Sequence, residues 1–588
     1  MAPSVSSHTS VLSPPQPDEQ SVPTVASADL TPDVLVVGAG PVGLTSALLL
    51  SRFGFKLRII DVSSGPCENG RAGGIQPRTL ELLDQMGLLD KLLALGGVRQ
   101  RQRYTYVDGK LSGVLRVVPD DQKGILEYDY TLLLGQQYVE AVILEALAAE
   151  GVTVERRVTL TQLQRPTADQ PLSVTLENFG TGVTTHLSPT YLVACDGAHS
   201  TCRKQLGIAF PGKSTSLTFG LIDAFVESDI PTPREGSFLQ SARGIIQAVP
   251  RENGMTRLYA RMDGSLRCED VGQDDVIAQV HRLAAPFKIK IDRVKWWAKY
   301  GIGQRVAESY SADDRIFLCG DACHTHSPAA AQGMNTGMGD AINLCWKLYW
   351  RHHGPASNYL LASYESERQP VANTLISIDK ELAAVSASYG LRDDDATCEL
   401  AARNVSVIYQ HRPFLTGLGI GYQPNLLCGD TAAAPNARPN HRPPNVKLFR
   451  HLDQVETTLF KAVAPLGPRF QAVVFTGLVK DEVSAYLEAL NAYLLNDRLA
   501  VARLRVTYVS PTRIFLPKHL TRQPALYYDG LVNDDPQAPA HVAYGVNMHT
   551  GAVVILRPDG LVACSAILAD APRAIEKYFS GIFAPLKV

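Results

Sequence analysis

Three glycines carry the first chemistry this chain can do. They fall in Val34-Leu-Val-Val-Gly38-Ala-Gly40-Pro-Val-Gly43, where an apolar strand runs straight into a helix over Pro41 to Arg52. In that setting Gly38 permits a tight turn, Gly40 lets backbone N–H groups approach a pyrophosphate, and Gly43 lets helix and strand close on each other. The open N–H groups and dipole at the helix start favour an anion. A second strand, Leu57 to Val62, completes a βαβ unit, and Asp61 near its end is placed to bind a ribose hydroxyl. Far downstream lies Arg315 to Gly337, RIFLCGDACHTHSPAAAQGMNTG. Its short apolar strand, Ile316 to Leu318, breaks at Gly320-Asp321 and leads through small residues toward a helix read over Ala341 to Leu348. A carboxylate ending a buried strand is costly unless a donor or ligand meets it. The small residues around it leave room for close backbone approach.

A chain of 588 residues exceeds one typical core, so two or three domains are expected. Hydrophobic content of 45% and charge of 19% describe a soluble globular chain, and a net charge of −2 gives no general attraction to nucleic acid or anionic membranes. No apolar run is long enough to span a bilayer. Residues 1–30, rich in Ser, Pro, Thr and Ala, lack the basic and apolar regions of a signal peptide and read as a disordered tail. A cytoplasmic protein is expected.

Beyond the βαβ unit, helices are predicted over Pro77 to Leu89 and Gln137 to Glu150, and strands over Val152 to Val158, Leu172 to Asn178, Thr184 to Leu187 and Tyr191 to Cys195. The last strand ends in Asp196-Gly197. From Ile208 to Arg305 the pattern alternates as in a sheet, including Leu217 to Phe225, Ile245 to Val249 and Thr256 to Arg261. Thr431 to Pro444, TAAAPNARPNHRPP, reads as a linker. After it come a strand at Ala472 to Phe475, a helix at Lys480 to Leu494, a strand at Arg503 to Val509, a hairpin through Arg557-Pro-Asp-Gly560, and a closing helix at Pro572 to Phe579.

The ten cysteines are scattered without a C-x-x-C pair, so reduced thiols are expected. Cys319, Cys323, His324 and His326 raise the question of zinc. A tetrahedral site draws on two separated ligand pairs, whereas these four share one strand and turn, so no metal site is expected.

The order GxGxxG, Asp196-Gly197, Gly320-Asp321 resembles the group A flavoprotein aromatic hydroxylases with the p-hydroxybenzoate hydroxylase fold. The run GDACHTHSP…QGMN resembles their phenol hydroxylase and 3-hydroxybenzoate 4-hydroxylase branch. The resemblance implies an α/β chain: a Rossmann-like FAD-binding domain (31–207 and 306–400), a mixed-sheet substrate-binding domain (208–305), a helical or linker segment (401–436) and a thioredoxin-like domain (437–588). It implies non-covalent FAD, with Gly38, Gly40 and Gly43 at the pyrophosphate, Asp61 at the adenosine ribose and Arg71 at the phosphates. Gln136 stands where the family has its FAD-binding glutamine. Asp321 would meet the ribityl chain, and Gly333, Met334 and Asn335 the isoalloxazine. Asp196 would serve FAD binding and shape NADPH access.

In that family NADPH reduces the flavin, O₂ converts it to a C4a-hydroperoxide, and an electron-rich ring takes the terminal oxygen. Pro328 and Ala329 to Ala331 match the loop beside the flavin. Gly417-Leu-Gly-Ile-Gly421 lacks a preceding strand, so NADPH is expected to bind transiently as co-substrate without its own Rossmann domain. In Pro250-Arg-Glu-Asn-Gly-Met-Thr-Arg257-Leu-Tyr259, Tyr259 matches the tyrosine that bonds the substrate hydroxyl and Arg257 an arginine that governs flavin position. Arg251 completes the matching pattern as a substrate contact. The reading from strand spacing alone makes Tyr259 plain core. Gly73 departs from the acid usual in phenol hydroxylases, which sets aside simple phenol and suggests a pocket opened to a larger ring. Only Cys564 lies in the last domain, so a role in assembly, in a homodimer, is expected there rather than thiol redox chemistry.

The expected activity is hydroxylation of a phenolic or other electron-rich aromatic. Epoxidation, oxidative dearomatisation and Baeyer–Villiger insertion use the same machinery. A flavin oxidase or dehydrogenase, and a non-catalytic FAD-binding partner, are the alternatives of other classes.

Overall fold

The computed structural model describes residues 31–118, 126–232, 234–262, 267–327, 331–388, 394–478, 481–496, 503–511, 525–528 and 538–583. The tail expected at 1–30 and the site residue Pro328 lie outside them.

A six-stranded sheet is built from near-continuous apolar strands, as suits strands covered on both faces. Its order is Ser311–Ala312, Ile316–Leu318, Tyr191–Ala194, Val34–Val37, Leu57–Asp61 and Val154–Arg156. All neighbours run parallel except the first pair. Three adjacent strands therefore deliver their carboxyl ends to one edge: Val34–Val37 hands on to Gly38, Tyr191–Ala194 to Asp196, and Ile316–Leu318 to Gly320. That edge is where open α/β sheets bind ligands. The helix Pro41–Arg52 follows the central strand, and the helix Gly333–His353 packs against it. The latter is much longer than the segment Ala341 to Leu348 read from sequence. The helix expected over Pro77 to Leu89 stops at Gln85, and a second short helix, Leu89–Ala94, follows.

The second sheet has eight strands, ordered His324–Thr325, Ile289–Val306, Gly212–Ser228, Thr256–Arg261, Gly244–Pro250, Gly236–Ser241, Gln102–Val107 and Lys110–Arg116. It is antiparallel except where Gly236–Ser241 pairs with Gln102–Val107. The span 31–207 thus lends two strands to this sheet. Their polar run Arg99-Gln-Arg-Gln-Arg103 hides them from a pattern search, because burial begins only at Thr105 to Val107. Two long helices, Asn358–Ser388 and Asp394–Gln410, lie against the sheet. Pro370 inside the first masks it in sequence.

The third sheet has seven strands around Phe470–Phe475. That strand runs parallel to Leu504–Ser510 through the helix Asp481–Asn496, and antiparallel to Ala552–Leu556, which forms a hairpin with Val562–Ala566. The helix Ala571–Ile582 closes the unit. This βαβ then ββα order, with the first strand inside, is the thioredoxin arrangement. Cys564 is buried in the hairpin as a free thiol, and desolvation pushes it up to about 12. A thiolate is therefore not at hand there. The segment 431–444 carries no regular element but is packed rather than loose: Ala434, Ala437 and Asn440 are fully buried, and Asn440 N–H donates to the Val562 carbonyl at 2.7 Å.

A buried charge cluster joins this third unit to the first. The hairpin-turn Arg557 binds Glu367 at 2.7 Å and Asp559 at 2.6 Å, and Lys347 binds Glu367 at 2.7 Å. Burial pushes the Glu367 carboxyl up, but Arg557 and Lys347 outweigh it and hold it below the usual range. Removing one member of such a buried set strands the others. Arg557→Met is therefore expected to cost about 3–5 kcal/mol, read as a lower denaturant midpoint. An unchanged midpoint would show that the cluster does not hold the domains together.

Candidate active site

The cofactor cradle begins at the first strand–helix turn. Gly38 has φ 99°, and a Cβ there would overlap the Cys195 carbonyl, while one at Gly43 would overlap the Gly38 carbonyl oxygen. Above Gly40 nothing lies within 4 Å, and the helix start has no side-chain cap. This leaves an open floor with unbonded N–H groups, which favours an anion. Asp61 braces the turn: its carboxylate accepts from Ala39 N at 2.6 Å and Ser63 N at 2.7 Å, with Arg156 at 3.5 Å.

The other two acids reach the same edge. Asp196 accepts from Cys202 N at 3.1 Å through one oxygen, while its other oxygen is buried with no partner. Such an orphan is rare unless something absent from the protein meets it. Arg203 ties the turns together, donating to Ala322 O at 2.7 Å and Ala198 O at 3.0 Å. Asp321 is exposed and makes no hydrogen bond among the described residues; it lies beside Gly333, where the helix Gly333–His353 begins without a side-chain cap. The open floor, the uncapped helix starts, the orphaned Asp196 oxygen and the free Asp321 carboxylate together fit FAD.

Other residues expected at the cofactor also carry hydrogen bonds within the protein. Gln136 donates to Glu140 at 2.8 Å and accepts from Ala72 N at 3.3 Å, and Glu140 accepts from Cys67 N at 2.8 Å. This pair shapes the loop that carries Arg71, whose side chain is exposed and whose φ is 52°. Met334 is buried in the core. Asn335 accepts from Gln76 N at 2.9 Å and donates to Gly74 O and Ala331 O, so its amide stitches the helix start to the loop at Gly74.

The Cys/His run resolves into a network. Cys323, His324 and Asp340 present ligand atoms within 4.8 Å of one another. However, Asp340 is occupied by Arg368 at 2.7 Å, His324 at 2.8 Å and Gly320 N at 3.1 Å. Burial pushes the Cys323 thiol well up. An acid so fully engaged and a thiol so hard to ionise read as an internal ion network.

On the sheet side, Arg257 organises the seam. It forms a two-pronged pair with Asp223 at 2.6 and 2.7 Å, and its third nitrogen donates to the Arg71 carbonyl at 2.5 Å and lies 3.5 Å from the Tyr259 hydroxyl. Burial lowers its pKa, but Tyr259 and Asp223 more than offset this and hold the guanidinium charged. Arg251 is 1% exposed and binds Glu252 at 3.0 Å; its remaining nitrogen makes no hydrogen bond but lies 3.8 Å from the Asp223 carboxylate. That nitrogen occupies the place a Cβ at Gly73 would take. Gly73 therefore does not open the pocket, as its size suggested; Arg251 fills the space.

Tyr259 opens onto a cavity between the sheet and the two long helices, walled by Phe219, Phe238, Leu382, Asn404 and Ile408 among others. It holds about 30 Å³ of space, and its mouth opens to solvent. The helical wall was not read from sequence, although Leu400, Asn404 and Ile408 recur at helical spacing. A larger cavity lies at the seam with the third unit. Its arginines Arg78, Arg368 and Arg442 are committed to Glu81 and Asp340.

Comparison with known proteins agrees with this geometry. Residues 31–379 match the FAD binding domain family, and residues 510–587 match the phenol hydroxylase C-terminal dimerisation domain. The chain is 33% identical to 3-hydroxybenzoate 4-monooxygenase of Comamonas testosteroni, over 68% of this chain and 67% of that one. It is 29% identical to phenol 2-monooxygenase fsqG of Aspergillus fumigatus, over 94% and 96% of the two chains. The fold is also that of the flavin-dependent monooxygenase PieE, solved with FAD and substrate: the TM-score is 0.73 at 19% identity, over 94% of this chain and all (100%) of that one. Among the described residues no helix is long and apolar enough to cross a membrane. The chain belongs to the FAD-dependent aromatic hydroxylases of the p-hydroxybenzoate hydroxylase fold, in the phenol hydroxylase-like branch that carries the C-terminal dimerisation domain.

Proposed function

We propose that this protein is an NADPH- and O₂-dependent FAD monooxygenase that hydroxylates a phenolic or other electron-rich aromatic in secondary metabolism. One observation carries the reading: Tyr259 lines a mostly apolar cavity and its hydroxyl stands 3.5 Å from Arg257, which also grips the nucleotide half through Arg71 O. Bound FAD would supply electron transfer from NADPH and the activation of O₂. The protein's own groups do the rest. Tyr259 orients the ring hydroxyl, and the permanent charge of Arg257 behind it favours the phenolate, which raises the ring's nucleophilicity. The walls of Phe219, Phe238, Leu382 and Ile408 exclude water, which would otherwise divert oxygen to peroxide.

Asp196 and Asp321 are proposed to receive donors from FAD, Gly38, Gly40, Gly43 and Arg71 to hold its phosphates, and Gln136 to hold the Arg71 loop in register. Pro328, Gly333, Met334 and Asn335 are proposed as the flavin's surroundings, with Arg251 acting from beneath Gly73. A homodimer through residues 510–587 is proposed from the family of that segment.

Supplying ¹⁸O₂ with NADPH and a phenolic substrate should give product carrying one labelled oxygen; unlabelled product with stoichiometric peroxide would overturn the monooxygenase reading. Tyr259→Phe is expected to lower kcat/KM by roughly 10–100-fold, the worth of one charge-assisted hydrogen bond, and to raise uncoupled NADPH oxidation. Full coupling at the wild-type rate would return the tyrosine to the core. Asp196→Ala should weaken FAD retention by about tenfold or more, measured by flavin release on dilution, and unaltered retention would remove Asp196 from the cradle.

A further inference from the structure

We infer that Asn404, together with Gln247, is a second polar anchor in the cavity, so that the substrate is a neutral phenol bearing a further carbonyl or hydroxyl group away from the reacting hydroxyl. This rests on the reading of the Tyr259 cavity as the substrate pocket.

Asn404 is only 6% exposed, yet its amide makes no hydrogen bond among the described residues. It stands in the cavity wall beside Leu382 and Ile408, which cannot bond it. An amide on a cavity wall that no protein group bonds must be met by water or by a ligand. Gln247 is half-buried; it also lines the cavity and makes no side-chain hydrogen bond among the described residues. Sheet register explains its position. Phe238, Gln247 and Tyr259 are directly paired across three neighbouring strands, so their side chains share one face in a single row. The row places an amide between an aromatic wall and the phenol-binding hydroxyl, while Asn404 belongs to the helix Asp394–Gln410 of the opposing wall.

An amide both donates and accepts, so it suits a carbonyl or a hydroxyl equally. Among the described residues no Asp, Glu, Lys or Arg lines the cavity; Arg257 beside Tyr259 is committed to Asp223, and Arg103, 5.9 Å from the Phe238 ring, donates to Gln100. A carboxylated ring would bury its charge there without a partner, which is unfavourable. Simple phenol would leave both amides unmet. Leu382, Asn404 and Ile408 also lie outside the two family-matched segments, 31–379 and 510–587. The helical wall is therefore a place where this chain can set its own specificity.

The test is a binding series on the FAD-loaded protein, following flavin absorbance with phenol, 3-hydroxybenzoate and 2,4-dihydroxyacetophenone. The dihydroxyacetophenone is expected to bind tightest. Asn404→Leu should weaken it at least roughly tenfold, since a polar site rejects what it cannot bond, while phenol changes by less than about twofold. Asn404→Ala provides the same comparison if the leucine variant does not fold. The inference is overturned if dihydroxyacetophenone binds wild type no better than phenol, or if either Asn404 variant leaves its binding unchanged or weakens both ligands alike. Tyr259→Phe separates the two readings. If it weakens both phenols while the Asn404 variants weaken neither, only this inference falls. If none of the variants alters any binding, the cavity is not the substrate pocket and the functional reading falls with it.

Discussion

The structure turns on one buried cation. Arg257 leaves the middle of the eight-stranded sheet, is held flat by Asp223, and spends its remaining nitrogen on the carbonyl of Arg71 in the other domain. A guanidinium taken out of water needs all its donors met. The sheet strand that carries Asp223, the strand that carries Arg257 and the loop that carries Arg71 must therefore meet at fixed distances. That meeting fixes the seam between the eight-stranded sheet and the Arg71 loop. Trp296, whose ring lies 5.2 Å from the guanidinium carbon, adds a cation–π contact that restrains the same group.

The cradle was legible in the sequence because its requirements are local. A strand, a turn that needs positive φ and a helix start occupy ten consecutive residues, so Gly38, Gly40 and Gly43 announce themselves. The Asp196 and Asp321 turns were legible for the same reason, each closing a short apolar strand. The hydrogen bonds of Asn335 were not: the resemblance sets it at the isoalloxazine, while its amide also bonds Ala331 nearby and Gln76 and Gly74, remote in the chain.

Gly73 shows the limit most clearly. Its size suggested vacant space, but what a glycine leaves is decided by the nearest side chain, here Arg251 from another domain. Asn404 escaped for a related reason. Nothing in its local sequence marks an amide as bare; only the packing of a helix onto a distant sheet strips it of partners. The strands at Gln102–Val107 and Lys110–Arg116 were likewise masked by arginines and glutamines, although their register makes them an edge of the sheet.

The helix Gly333–His353 has one further consequence. Its first turn faces the candidate cofactor edge, its middle holds Asp340 in the network with His324 and Arg368, and its later turns carry Asn343 and Lys347 into the cluster with Arg557. The same rod thus serves as wall, strut and socket. The C-terminal unit cannot be treated as an interchangeable module: any exchange among relatives would have to carry across a matched acid–base set at positions 347, 367, 557 and 559, or bury a mismatch of charge inside the enzyme.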